Sequence, residues 1–219
     1  MDKEYYFTKI YPLQDKILKT INALETGFYL TGGTAASRGY LHHRFSEDLD
    51  FFVNDDDRFG LWAEKIIYTL SKGKDWKVDA LQRDDRYIRL SLVQEDALLK
   101  IELINDVPSH IGNVINHEIL GRLDSPENIL ANKITAIIDR QEPKDFADIW
   151  GFCCKMGISI INAITDAKSK AAGIFPPDLA RVLCSASQSD WEVIQWIEPP
   201  DREEFVSDLY KLGESLIIE

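Results

Sequence analysis

The pattern of apolar residues changes character once along this chain, and that change limits the folds open to it. Alternating or short continuous apolar runs fall between residues 28 and 120, whereas from Ser125 onward every signal is helical. Alternation suits a strand with one buried face; apolar residues three and four apart suit a helix with a buried stripe. The strand readings are 28–31, 48–53, 78–81, 87–93 and 97–104, with a further short strand in 114–120. Asp84-Asp85 and Glu95-Asp96 supply the turns of a three-strand meander. Helices are expected over 8–26, 34–42 and 58–72, the last with Leu61, Trp62, Ile66, Ile67 and Leu70 on its apolar side. Ser125-Pro126 is an N-cap followed by proline at the first helical position, and Pro143 opens another helix in the same way. The expected class is α+β, with a strand-rich core over 1–122 and a helical region over 123–219. Whether the two share one core is left open.

At 219 residues the chain has room for one ordinary domain, or for a small catalytic half and a helical half. Its net charge is −12, which excludes a general DNA or RNA binder, because such binding rests on neutralising phosphates with Lys and Arg. An RNA acceptor held by a local basic patch remains open, and a metal site would absorb part of the excess acid. No apolar run reaches the length of a membrane span. Residues 1–30 carry no secretory pattern. The three cysteines, Cys153, Cys154 and Cys184, form neither a disulfide framework nor a metal-ligand spacing. The expected location is the cytoplasm.

Chemistry concentrates in Ser46-Glu47-Asp48-Leu49-Asp50-Phe51-Phe52-Val53. On a strand, Asp48 and Asp50 face one side while Leu49, Phe51 and Val53 face the core. Two carboxylates so close repel unless a cation sits between them, and Mg2+ is the natural candidate. Taken alone, the pair reads equally well as a solvated strand edge. Upstream, Leu30-Thr31-Gly32-Gly33-Thr34 is a strand, a glycine pair and a helix start. Glycines let backbone N–H groups approach a phosphate, and Thr34 or Ser46 can add a hydroxyl. In the 97–104 strand, Lys100 and Glu102 share the polar face; beside Asp48 and Asp50, Glu102 would complete a three-acid site for two metal ions. Lys133 lies in the apolar stripe of the helix begun at Ser125, an expensive position unless paired. Asp145 and Asp148 share a helix face and call for a partner such as Lys133 or Arg140. His43 and Arg44 precede the acids, and Arg44 reads either as a phosphate ligand or as the partner of Glu47.

Together, Tyr29-Leu30-Thr31-Gly32-Gly33-Thr34-Ala35 and His43-Arg44-Phe45-Ser46-Glu47-Asp48-Leu49-Asp50 resemble the AbiEii/AbiGii-type toxin family of the DNA polymerase β-like nucleotidyltransferase superfamily. Thirteen residues lie between Thr34 and Asp48, as in that family's helix insertion. The resemblance spans roughly residues 25–155 and implies a mixed sheet with flanking helices. It also implies an NTP-dependent transferase using Mg2+, two ions, with Mn2+ as a substitute. The catalytic residues it implies are Asp48, Asp50, Glu102, Lys133, Asp145 and Asp148; the nucleotide-binding residues are Gly32, Gly33, Thr34, Arg44, Ser46 and Lys133. Lys133 is expected on the triphosphate, and Lys144, Asp145 and Asp148 match the family's Lys-Asp-x-x-Asp motif. The wider superfamily often has aspartate where this chain has Glu102. The implied partners are an NTP, a tRNA 3′ end or other RNA acceptor, and a cognate antitoxin; no membrane is implied. A transferase with a protein or small-molecule acceptor, and a non-catalytic NTP-binding module of the same fold, are the competing readings.

Overall fold

A strand buried at every position belongs inside a sheet, and Tyr29–Thr31 (β1) is such a strand. In the computed structural model, which describes residues 3–217, it is an inner member of a seven-stranded sheet. The others are Leu49–Asn54 (β2), Lys77–Arg83 (β3), Tyr87–Gln94 (β4), Ala97–Asp106 (β5), Ile115–His117 (β6) and Gly121–Leu123 (β7). The order is β3-β4-β5-β2-β1-β7-β6. β2 runs parallel to β5 and β1 parallel to β7, while the remaining neighbours are antiparallel, so the sheet is mixed. The chain forms two units, neither continuous in sequence. One is the chain up to Ala35 with Ser46–Asp124; the other is Ala36–Phe45 with Ser125 onward.

The first unit holds the whole sheet. Leu49, Phe51 and Val53 of β2, Leu90 and Leu92 of β4, and Leu99, Ile101 and Leu103 of β5 are buried, as their alternation requires. The helix Tyr11–Asn22 buries Leu13, Ile17, Leu18 and Ile21. The helix Phe59–Ser71 departs in part from the expected face, keeping Ile66 and Leu70 inside. It buries Phe59, Ala63, Ile66 and Leu70, while Leu61 is 71% exposed. The spacing 59, 63, 66, 70 is the true helical stripe, and the small Ala63 inside it hides the pattern from a reading based on large residues. The single strand expected in 114–120 is instead a hairpin of β6 and β7. Its turn is closed by His117 Nδ1, which accepts from the backbone N–H groups of Ile119 and Leu120. Gly121 leaves the turn at φ +76°, packed so closely on Asn22 that a Cβ there would collide with it.

The second unit is built from helices. Ser125 caps Pro126–Arg140 by accepting from the Asn128 N–H, and Pro126 and Pro143 occupy first-turn positions as expected. Ser159, Ser187 and Asp201 cap Ile160–Lys170, Gln188–Val193 and Arg202–Glu214. Trp150, Trp196 and Phe205 meet edge to face in the interior of this unit. No helix among the described residues is long and apolar enough to cross a membrane.

Candidate active site

Directly paired residues on neighbouring strands point to the same face of a sheet. The register pairs Thr31 with Asp50, Asp50 with Glu102, and Glu102 with Arg89. One row on one face therefore reads Thr31, Asp50, Glu102, Arg89 across four strands. Asp48 lies two residues before Asp50 and shares that face. The parallel pairing of β2 with β5 brings Asp50 and Glu102 level, although they are far apart in sequence.

The turn after β1 is fitted to the acids. Gly32 sits at φ +67°, and a Cβ on it would collide with the Asp50 carboxylate. Both constraints admit glycine alone without strain. Thr34 is fully buried: its hydroxyl donates to the Asp48 carbonyl at 2.5 Å and meets the Ser46 hydroxyl at 3.0 Å. These two hydroxyls, read from sequence as phosphate contacts, thus fasten the start of β2. The buried Gln14 amide adds donors to the Ser46 and Glu47 carbonyls, both at 3.0 Å. Nothing in the sequence marks that role; Gln14 looks like an ordinary helix residue.

The acids themselves have cationic neighbours. Lys100 Nζ lies 3.2 Å from Asp48 Oδ2. Glu102 Oε1 accepts from Arg89 Nε and from the Tyr87 hydroxyl, both at 2.9 Å. Burial and the Glu102 bond push the Tyr87 phenol up to about 12. Among the described residues no three carboxylate, histidine or cysteine side chains converge as a ready cage for a metal. The donor set still suits a hard divalent cation, because Asp48, Asp50 and Glu102 offer carboxylate oxygens only. For Glu102 to join the other two it must exchange Arg89 and Tyr87 for the ion.

The row continues beyond Thr31. Thr31 donates to Asp124 Oδ2 at 2.6 Å, and Asp124 Oδ1 lies 2.9 Å from His110 Nε2. Asp124 is fully buried. Sequence reading passes over both residues, since Asp124 looks like part of the Ser125 cap and His110 like a loop residue.

The second unit gathers the remaining candidates into one buried cluster. Arg44 grips Asp148 with two parallel bonds, Nε to Oδ1 at 2.7 Å and Nη2 to Oδ2 at 2.8 Å. Lys133 Nζ stands 2.9 Å from Asp145 Oδ1 and 2.7 Å from Asp148 Oδ2. Arg140 donates to both oxygens of Asp145. So the two acids have both partners considered for them, and Arg44, read as a phosphate or Glu47 ligand, is forked on Asp148. Lys144, by contrast, pairs with Glu142. Burial works to raise the Asp148 carboxyl, but Arg44 and Lys133 hold it well below its ordinary range. Lys133 and Arg140 likewise outweigh burial at Asp145. His43 Nε2 lies 3.0 Å from Asp148 Oδ1, and burial holds the imidazole below its ordinary value despite that carboxylate. Above the ordinary histidine value the ring is therefore neutral, and among the described residues its buried Nδ1 has no hydrogen-bond partner.

A pH dependence follows with a definite sign. Where a folded-state pKa is depressed, the unfolded chain binds more protons between the two values, so stability falls as pH falls. Loss begins below the ordinary histidine value of 6.5 through His43, and resumes below the ordinary aspartate value of 3.8 through Asp145 and Asp148. Urea midpoints measured against pH should show both steps, and His43→Gln should remove the upper one. A wild-type midpoint that stays flat between about pH 7 and about pH 5 would contradict a neutral, buried His43.

The sequence model of a family described as nucleotidyl transferase AbiEii toxin, type IV TA system, matches residues 16–172. No curated protein matches the chain significantly. Several solved structures share its fold. One from Helicobacter pylori, described as a nucleotidyltransferase, has a TM-score of 0.64 at 20% identity, covering 95% of each chain. JHP933 from Helicobacter pylori has a TM-score of 0.63 at 20% identity, covering 95% of this chain and 92% of that one. MenT4, a nucleotidyltransferase toxin from Mycobacterium tuberculosis, has a TM-score of 0.65 at 14% identity, covering 96% and 83%. At these identities the structural likeness carries the fold.

Proposed function

The chain belongs to the AbiEii nucleotidyl transferase toxin family of type IV toxin–antitoxin systems, and from that premise we propose that it transfers a nucleoside monophosphate from an NTP to RNA, at a tRNA 3′ end. The observation that carries this reading is the pairing of Asp48 and Asp50 on one face with a glycine turn that no larger residue could replace. In the reaction the acceptor hydroxyl oxygen bonds to the α-phosphorus as the bond to pyrophosphate breaks.

Asp48, Asp50 and Glu102 are the residues to hold divalent metal, Mg2+ as two ions with Mn2+ as substitute, which when bound offsets the charge of the phosphates and of the attacking oxygen. Gly32 and Gly33 leave the backbone N–H groups of the turn open to the triphosphate. Thr34, Ser46 and Gln14 keep the start of β2 in place, so that the carboxylates are held before the substrate arrives. Arg44, Lys133, Asp145 and Asp148 act as positioning residues. Their network fixes Arg44, which precedes Asp48 by four residues in the chain. The acidity of the chain favours a small RNA footprint, a chain end rather than a long duplex.

The test is transfer itself. Purified protein is incubated with Mg2+, total tRNA and each α-32P-labelled NTP in turn, beside an Asp48→Ala/Asp50→Ala control. Label on tRNA that vanishes in the control is the expected result. Label on protein alone would replace RNA by a protein acceptor, and bound NTP with no transfer would leave a binding module.

A further inference from the structure

Away from the acids, the first unit contains a cleft of about 530 Å3. It lies at the other end of β1 and β2, where Tyr29 starts one strand and Asn54 ends the other. Asn54 is four residues past Asp50, about 13 Å along an extended strand. A ligand there would not touch the acids. The volume falls within the range of about 300–1,000 Å3 usual for small-molecule sites.

The lining is specific. Arg122 projects from β7, is exposed, and has no charge partner among the described residues. Arg58 lies 4.3 Å over the Trp62 ring while bound to Asp56, so Asp56 is already neutralised. His110 is oriented by the fully buried Asp124, which accepts from Nε2 and leaves Nδ1 as a hydrogen-bond acceptor for a ligand. This is the arrangement by which a carboxylate fixes a histidine for work on its other side. Glu25, also exposed and without a charge partner among the described residues, offers a lone acceptor on the same cleft. Tyr29 and Trp62 supply ring surface.

A free guanidinium recognises a phosphate, and an imidazole nitrogen left as an acceptor takes a sugar hydroxyl. A carboxylate nearby recognises sugar hydroxyls, as acidic residues do in dinucleotide sites. Flat apolar walls accept a ring. We propose that this cleft is a ribonucleotide-binding site at the far end of the strands from the acids, taking the phosphate on Arg122 and the sugar hydroxyls on His110 and Glu25. The same chemistry is presented by a free nucleoside monophosphate and by one unit of an RNA strand. The proposal does not rest on the transferase reading.

The test uses the full chain in EDTA, so that metal-dependent binding is silent. AMP, adenosine and a six-nucleotide oligoadenylate RNA are each titrated while the Trp62 indole N–H signal is followed by NMR. It is assigned by Trp62→Phe. AMP or the oligonucleotide should shift that signal. Arg122→Ala should weaken binding by at least about tenfold, from the loss of a charge-assisted bond, and Glu25→Gln should weaken it less. Asp48→Ala/Asp50→Ala should bind like wild type. AMP binding with a silent oligonucleotide assigns the cleft to free nucleotide; the reverse assigns it to RNA. Adenosine binding as well as AMP, indifference to Arg122→Ala, loss in the Asp48→Ala/Asp50→Ala variant, or no shift with any probe would each overturn the proposal. Arg122 and Glu25 are exposed, so both variants leave the core intact.

Discussion

Asp148→Ala is expected to destabilise the protein by about 3–5 kcal/mol, the range for removing one partner of a buried ion pair. Asp148 is fully buried, Arg44 is 4% exposed and Lys133 5% exposed. Removing the carboxylate strands the Arg44 guanidinium and the His43 N–H in a site closed to water. Lys133 keeps Asp145, but Arg44 loses both bonds of its fork. Against a total stability of about 5–15 kcal/mol, the loss is large enough to leave a visible unfolded fraction. Urea unfolding of the two proteins reads it directly. Asp148→Asn should lie between them, because the amide oxygen still accepts one bond but the charge is gone. A loss for Asp148→Ala below about 1 kcal/mol would place the cluster among ordinary surface ion pairs.

The second large effect is on activity. Asp50→Asn keeps size and shape while removing the charge, so the fold should survive with an unfolding midpoint near wild type. Transfer should fall by about a thousandfold or more, since charge stabilisation at such a site amounts to several kcal/mol and each 1.36 kcal/mol is tenfold. Single-turnover rates with saturating NTP and metal make the comparison clean. A variant within about tenfold of wild type would remove Asp50 from the chemistry. Glu102→Gln separates two further possibilities. If Glu102 belongs with the acids it should behave like Asp50→Asn; if its work is to hold Arg89 and Tyr87, activity should change little.

Local signals are the ones a reader of this sequence can follow. Alternation at Leu49, Phe51 and Val53 gives the face of Asp48 and Asp50, and Ser125-Pro126 and Pro143 give helix starts, because each depends on neighbours in the chain. β7 is invisible because three residues, Gly121–Leu123, are too few to display a period. The face of Phe59–Ser71 is misleading because Leu61 and Trp62 outweigh Ala63 by eye, while burial follows position. Register is out of reach altogether. That Asp50 stands level with Glu102 depends on a parallel pairing no local rule supplies. Likewise nothing near Arg44 names Asp148 as its partner. Lys133 announces a need for a carboxylate but not which, and the answer is two of them.

The interleaving of the two units has a consequence for synthesis. The sheet-bearing unit ends in sequence at Asp124, so a growing chain contains all of it early. Arg44 belongs to the other unit, and its carboxylate partner follows 104 residues later. At about 5–20 residues per second, the ribosome needs roughly 5–20 s to cover that distance. For that interval the nascent polypeptide carries residues 36–45 as a segment apart, with a guanidinium destined for burial whose forked partner Asp148 is not yet made. The strands can pair while this segment waits, and the appearance of Asp148, not completion of the sheet, marks when the chain can first close around its own charges.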